Sequence, residues 1–247
     1  MKVAGGSGRD AREAGNCGAE SSEGSRRTSP TKLIVLDLNG LLIHREKVKS
    51  KGAADMKRRC GTQQWTKVGM FVVWKRPYLE EFIEFCLEHF DVAVFSSVRP
   101  HNIAPLIDLV FGERKQELVF VWDQTKCTTF GRDPDNKMKP LFIKPLGLIL
   151  EAFPQYSADS VLIVDDSPYK CLRNPPNTAI HPIPWDPSQT DDGELLEGAA
   201  LRRFLTKLSV DAGGVPALVE SGEFGGMRSD AVHADILAQL DAHFRSA

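Results

Sequence analysis

Apolar residues fall into short unbroken runs separated by polar stretches. Leu33, Ile34, Val35 and Leu36 form one run, residues 92–95 a second and residues 161–164 a third. Each is too short for a helix and lacks alternation, which predicts strands buried on both faces, as in a parallel sheet. Residues 70–74 and 118–122 predict two further strands. Residues 179–183 predict a short edge strand, because Pro182 and Pro184 bar it from a central position. Between the runs the period changes to that of a helix. Leu79, Phe82, Ile83, Cys86 and Phe90 share one face after Arg76-Pro77, proline being tolerated in a first turn. Residues 101–111 repeat the pattern with Ile103, Leu106, Ile107 and Val110, and residues 146–153 predict a helix after Lys144-Pro145. Leu201, Phe204, Leu205 and Leu208 mark a closing helix, and Val232, Ile236, Leu237 and Leu240 one more, docked or free.

Strands alternating with helices, each strand ending in polar residues, imply an α/β fold: a doubly wound parallel sheet with right-handed crossovers. There is no internal repeat. Residues 1–30, rich in Gly, Ser, Ala and Arg and without periodicity, read as a disordered tail. Residues 44–67 are polar and carry Arg45, Lys47, Lys49, Lys51, Lys57, Arg58 and Arg59. They follow the first strand at its carboxyl end, so they read as a flap inserted over that edge. A basic flap attracts a phosphorylated substrate or a nucleic acid; a solvated loop or a localisation signal is the commoner meaning of such a run. The stretch 131–137 is turn chemistry. After Val210 the Gly-rich chain is linker-like. The division expected is therefore a tail over 1–30, one domain over 31–210, and a linker with a helix over 211–247.

Composition narrows the classes. The chain of 247 residues is 42% hydrophobic and 26% charged, enough to bury a core. A net charge of -2 gives no overall pull toward nucleic acid or membrane, and neither is expected as a direct partner. No apolar run approaches the roughly eighteen residues that a membrane helix needs. Five cysteines without CxxC spacing predict reduced thiols, packed as small hydrophobes, in a nuclear or cytoplasmic setting. Asp10, Glu13, Glu20 and Glu23 argue against a mitochondrial transit peptide. A monomer is expected.

The candidate chemistry lies at the strand ends. The three buried runs close on Asp37, on Ser96 and on Asp165-Asp166, with Lys144 ahead of the third. In a parallel sheet these ends share one edge, so groups far apart in sequence converge. Clustered carboxylates hold a hard cation such as Mg²⁺ through oxygen, with substrate phosphate and water completing the shell. A carboxylate also attacks phosphorus, and a hydroxyl and an ammonium stabilise the phosphoryl oxygens in the transition state.

These residues resemble the haloacid dehalogenase superfamily, and within it the FCP/SCP-type phosphatases that act on the RNA polymerase II C-terminal domain. The resemblance covers residues 31–210. It is carried by Leu36-Asp37-Leu38-Asn39-Gly40-Leu41-Leu42, Lys75-Arg76-Pro77, Phe95-Ser96-Ser97, Phe142-Ile143-Lys144 and Val164-Asp165-Asp166-Ser167-Pro168, five motifs in the family's order. By that resemblance Asp37 is the nucleophile and a Mg²⁺ ligand, the backbone carbonyl of Asn39 binds the same ion, and Asp166, with Asp165 beside it, completes the protein ligands. Ser96 and Lys144 hold the phosphoryl group, and the substrate is a phosphoserine or phosphothreonine in a protein. Asn39 departs from the pattern. Active relatives carry an aspartate there, which protonates the leaving group and later deprotonates the attacking water. An amide can do neither near neutral pH. The resemblance thus implies a site competent to bind phosphate and Mg²⁺ but impaired in turnover, with aryl phosphates the least affected.

Each residue alone has an ordinary meaning. A single Asp after an apolar run usually serves a turn, Asp165-Asp166 can cap a helix at Ser167-Pro168, and Ser96 and Lys144 are unremarkable singly. Their convergence is what favours a phosphate site. Trp65, Trp74 and Trp122 would line a substrate groove, with packing as the default. His44 would replace the missing acid–base if it lay within hydrogen-bond reach. Three other functions compete: a phosphoprotein-binding scaffold without turnover, the FCP-like subunit of the mitochondrial import translocase, and a receiver domain. The translocase subunit wants a targeting sequence and a membrane helix. A receiver places its acidic pair after the first strand, the reverse of the order here.

Overall fold

The computed structural model describes residues 32–61, 64–222, 224 and 234–246. The tail expected over 1–30 and the linker segment 225–233, with Val232, lie outside the described residues. β1 (Leu33–Leu36) is followed by an excursion of β2 (Ile43–Lys47), α1 (Lys51–Cys60), β3 (Thr66–Val68) and β4 (Phe71–Lys75). The chain then alternates through α2 (Leu79–His89), β5 (Asp91–Phe95), α3 (Pro100–Phe111) and β6 (Val121–Trp122). A hairpin of β7 (Thr128–Arg132) and β8 (Pro140–Ile143) precedes α4 (Leu146–Ala152), β9 (Val161–Val164) and β10 (Ala179–Ile180). Three helices follow: α5 (Ala200–Val210), α6 (Val215–Glu220) and α7 (Ala234–Arg245).

The central sheet has the order β10-β9-β1-β5-β6, and every neighbouring pair is parallel. The chain adds β5 and β6 on one side of β1, then returns to add β9 and β10 on the other. This reversal leaves a crevice at the carboxyl ends of β1 and β9. Alternate side chains enter opposite layers. Ile34, Leu36, Val92, Val94, Leu162 and Val164 cluster with residues of α2, α3, α5 and α6, whereas Leu33, Val35, Ala93, Phe95, Val161 and Ile163 cluster with Leu146 and Ile149 of α4 and with Phe120. The sheet is doubly wound and covered on both faces, as its unbroken apolar runs predict.

Several local expectations are corrected. The flap is folded: β2, β4 and β3 form an antiparallel sheet, and the run 70–74 belongs there rather than to the central sheet. Its helix α1 starts where the Ser50 hydroxyl accepts from the Ala53 amide, and Lys57, Arg58 and Arg59 stand in its last turn, where the helix dipole favours cations. The run 118–122 gives only the two-residue β6, although Val119 and Phe120 still bond to Val92 and Val94. The turn near 131–137 joins a hairpin that periodicity did not predict. The chain after Val210 is not simply a linker, since Val215, Leu218 and Val219 of α6 lie in the main core. α7 is docked: Ile236 and Leu240 pack on Phe130, Leu141 and Ile143 of the hairpin, and the Gln239 amide exchanges two hydrogen bonds with the Arg132 backbone. Trp74 is buried and Trp122 packs with Phe95, Phe120 and Phe153, so packing explains both better than a groove does. Cys60, Cys86 and Cys171 are buried, free thiols, and Cys127 is half-buried. Among the described residues no helix is long and apolar enough to cross a membrane.

Arg76 holds the loops beside the crevice. Its guanidinium makes a two-pronged pair with Asp192 at 2.8 and 2.7 Å. It also donates to the carbonyls of Leu41 at 3.1 Å and Ile183 at 3.3 Å. The side chain is buried, so the pair exists only because nearly every donor is matched. Replacing Arg76 with Met strands the Asp192 carboxylate, and urea denaturation is expected to show a loss of about 3–5 kcal/mol.

Candidate active site

β1 delivers Asp37 to the crevice. Leu36 pairs with Val94 of β5 and Val164 of β9, so the residues that follow these three strands emerge at one edge. The Asp37 amide donates to the Val164 carbonyl at 3.0 Å, which fixes where its side chain begins. The chain then folds back, with the amides of Leu42 and Ile43 both donating to the Leu38 carbonyl. Gly40 makes the turn possible twice over. Its φ of +89° suits glycine, and a Cβ there would stand 2.3 Å from Asp166 Oδ2.

Two lysines and two aspartates close a ring in the crevice. Lys144 Nζ donates to Asp37 Oδ1 at 2.9 Å and to Asp165 Oδ2 at 2.5 Å. Lys170 Nζ donates to Asp37 Oδ2 at 3.0 Å and to Asp165 Oδ1 at 2.9 Å. All four side chains are buried. The backbone fixes both lysines, since the Lys144 amide donates to the Lys170 carbonyl at 2.8 Å. Asn174 braces the same turn, donating to the Lys144 carbonyl and accepting from the Leu146 amide.

Asp166 sits outside the ring but close to it. Its carboxylate has weaker partners, Ser167 Oγ at 3.4 Å and Lys170 Nζ at 3.8 Å. Oxygens of Asp37, Asp165 and Asp166 all lie within 4.8 Å of one another. Three hard oxygen donors, one of them short of partners, fit a Mg²⁺ ion. The electrostatics separate the two neighbouring acids. Burial opposes the charge on Asp165, but Lys144 and Lys170 overcome it and hold this carboxyl well below its usual range. Burial pushes Asp166 up to about 7, against Lys170 and with the help of Asp165 and Asp37. Burial likewise opposes the charges on Lys144 and Lys170, and the carboxylates more than offset it, so both ammoniums are held firmly protonated.

The remaining sequence candidates divide. Ser96 is buried at the end of β5, beside β1, with its amide on the Trp122 carbonyl; it is not a member of the ring. Asn39 follows Asp37 by two residues, and its Oδ1 accepts from the Arg45 amide at 3.0 Å, so its amide nitrogen is the atom left for other partners. His44 is not positioned as a substitute acid–base. It faces Trp74 and Glu46, and burial lowers its pKa. Its neighbour Arg45, pointing the other way along the strand, is the residue within electrostatic range of Asp37. Sequence reasoning missed two residues here. Arg45 was counted only among the basic residues of the flap, yet its guanidinium lies on the Phe71 ring, 4.7 Å from the centroid. Lys170 carried one signal, its place two residues after Pro168 in the turn that follows the acidic pair.

The family model for NIF, the NLI interacting factor-like phosphatases, matches residues 32–215. The chain belongs to this family. Its relatives include an FCP1 homology domain-containing protein of Schizosaccharomyces pombe, 27% identical over 64% of this chain and 64% of that protein. This chain therefore spans somewhat under two thirds of that relative's length. A CTD phosphatase-like protein of Invertebrate iridescent virus 3 is 26% identical over 67% of this chain and 92% of its own. Among solved structures, a fission yeast RNA polymerase II CTD phosphatase bound to beryllium fluoride aligns over 87% of this chain and 63% of that one, with a TM-score of 0.43 and 13% identity. Within this NIF domain the ring and its acidic neighbour lie at the carboxyl edge of the central sheet.

The raised Asp166 has a consequence for stability. Its folded pKa of about 7 exceeds the unfolded value of about 3.9, so the folded protein keeps a proton that the unfolded chain has lost between those limits. In the metal-free protein this contribution is fully present below pH ~4 and is lost as pH rises through ~7. Asp166→Asn should gain on the parent by about 2–4 kcal/mol across that window, read from urea denaturation at a series of pH values. A constant difference would contradict the assignment.

Proposed function

We propose that the chain is a Mg²⁺-dependent phosphoserine/phosphothreonine protein phosphatase of the aspartyl-phosphate type, with turnover held back at Asn39. The observation that carries the reading is the convergence of Asp37 with Lys144, Lys170 and the acidic pair in one buried crevice. Asp37, Asp165 and Asp166, with the backbone carbonyl of Asn39, are the groups that would hold Mg²⁺. When bound, it neutralises charge on the transferring phosphoryl group. Asp37 Oδ attacks phosphorus as the bond to the seryl or threonyl oxygen breaks, and Lys144 and Ser96 hold the phosphoryl oxygens. The departing alkoxide then needs a proton, and the water that later attacks the aspartyl-phosphate must lose one. Asn39 offers only an amide hydrogen bond at each step, so solvent water must give the first proton and take the second, and both steps are slow. Family membership supports a phosphorylated protein as the ligand, and a phosphorylated segment such as the C-terminal domain of RNA polymerase II is the partner we propose to test.

The same asparagine favours a second reading, a scaffold that holds phosphorylated segments without releasing phosphate. Release of phosphate from a phosphoserine peptide, by the parent and by Asn39→Asp, separates the two. A slow parent rate that rises about 10²–10⁴-fold in the variant supports the phosphatase. Binding without any release by the parent supports the scaffold. A variant no faster than a slow parent would remove Asn39 from its assigned role.

A further inference from the structure

Every carboxylate oxygen of Asp37 and Asp165 already holds an ammonium. The two lysines that supply them are not equivalent. Lys144 bonds to those two carboxylates, whereas Lys170 also reaches Asp166 Oδ1, at 3.8 Å. Lys170 Nζ therefore stands within 3.0, 2.9 and 3.8 Å of Asp37, Asp165 and Asp166, the three acids that would hold a divalent ion. An ammonium and a divalent ion in the same small, buried space repel strongly. We propose that Lys170 is the resident counter-ion of this site, holding the cation position in the resting molecule, so that Mg²⁺ binds only by displacing the Lys170 ammonium. The proposal rests on the magnesium reading given above.

The local structure suits an exchange of this kind. The backbone of Lys170 is pinned at both ends of its peptide: its amide donates to the Ser167 carbonyl and its own carbonyl accepts from Lys144. The ammonium, by contrast, rides on a four-carbon stem with rotatable bonds. Once displaced, it needs new acceptors, and phosphoryl oxygens entering the crevice supply them as charge-assisted partners. Cation and phosphoryl group then bind with positive coupling, and Lys170 passes from the acids to the substrate.

Binding of Mn²⁺, a paramagnetic probe for the Mg²⁺ position, can be measured by electron paramagnetic resonance on the full chain. Lys170→Gln should tighten it roughly ten-fold or more, and Lys144→Gln should change it less. No tightening in Lys170→Gln, or equal tightening in both variants, overturns the proposal. Binding in none of the three proteins overturns the magnesium reading beneath it. A second measurement needs no variant and decides the matter if Lys170→Gln does not fold. Acetylation of Lys170 in the parent, followed by mass spectrometry, should increase once Mn²⁺ saturates the site. Labelling that stays unchanged at saturation counts against displacement.

Discussion

The structure depends on the ring of Asp37, Lys144, Asp165 and Lys170. Four charged groups buried in one crevice are costly to desolvate, and only mutual pairing makes the arrangement tolerable. Here each of the four carboxylate oxygens accepts from one of the two ammoniums, at 2.5–3.0 Å. That geometry demands strict register between β1 and β9, which the parallel ladder from Leu33 to Leu36 supplies. It also demands that the chain leave Asp37 without crowding Asp166, which only Gly40 allows. Arg76 and Asn174 perform the same service for the surrounding loops.

The flap is tied to the same point. Asn39 Oδ1 holds the Arg45 amide, and the Gly40 carbonyl accepts from Trp185, so the antiparallel sheet and the loop after β10 are both fastened to the turn behind Asp37. A shift of the flap is therefore felt at Asn39. The basic residues divide accordingly: Arg45 lies on the Phe71 ring within electrostatic range of Asp37, while Lys57, Arg58 and Arg59 terminate α1.

Much of this was legible in the sequence, and the reason is physical. Strands buried on both faces leave unmistakable apolar runs, and in a parallel sheet the residue after each run must reach the ligand-binding edge. Asp37, Ser96 and Asp165 could be placed on that argument alone. The flap could not, because β2 carries a hydrophobic residue only at Ile43 and α1 buries only the small side chains of Ala53 and Cys60, so neither has a run of large apolar residues to mark it. The hairpin was hidden for a related reason: Thr128–Arg132 has only Phe130 facing inward. Lys170 was passed over because no periodicity marks a turn residue, and its place after Pro168 was its one signal. Its importance comes from contacts with Asp37, 133 positions earlier in the chain. Helix α6 was misjudged because the glycines before it suggest a linker, while Val215, Leu218 and Val219 supply its buried face.

The docking of α7 bears on the order in which the molecule can be assembled. The hairpin that leads into Lys144 has its apolar face, Phe130, Leu141 and Ile143, covered by α7 together with Tyr169 and Leu172. The bond between Arg132 and Gln239 spans 107 positions, and closing a loop of that length is slow as well as entropically unfavourable. Synthesis delivers β1, β5 and β9 well before α7. A nascent chain can therefore possess its sheet, and even both aspartates of the ring, while the strand before Lys144 still lacks its cover. The charged centre draws its members from residues 37 to 170, yet the cover for the strand before one of them comes from Ile236 and Leu240, which are synthesised later.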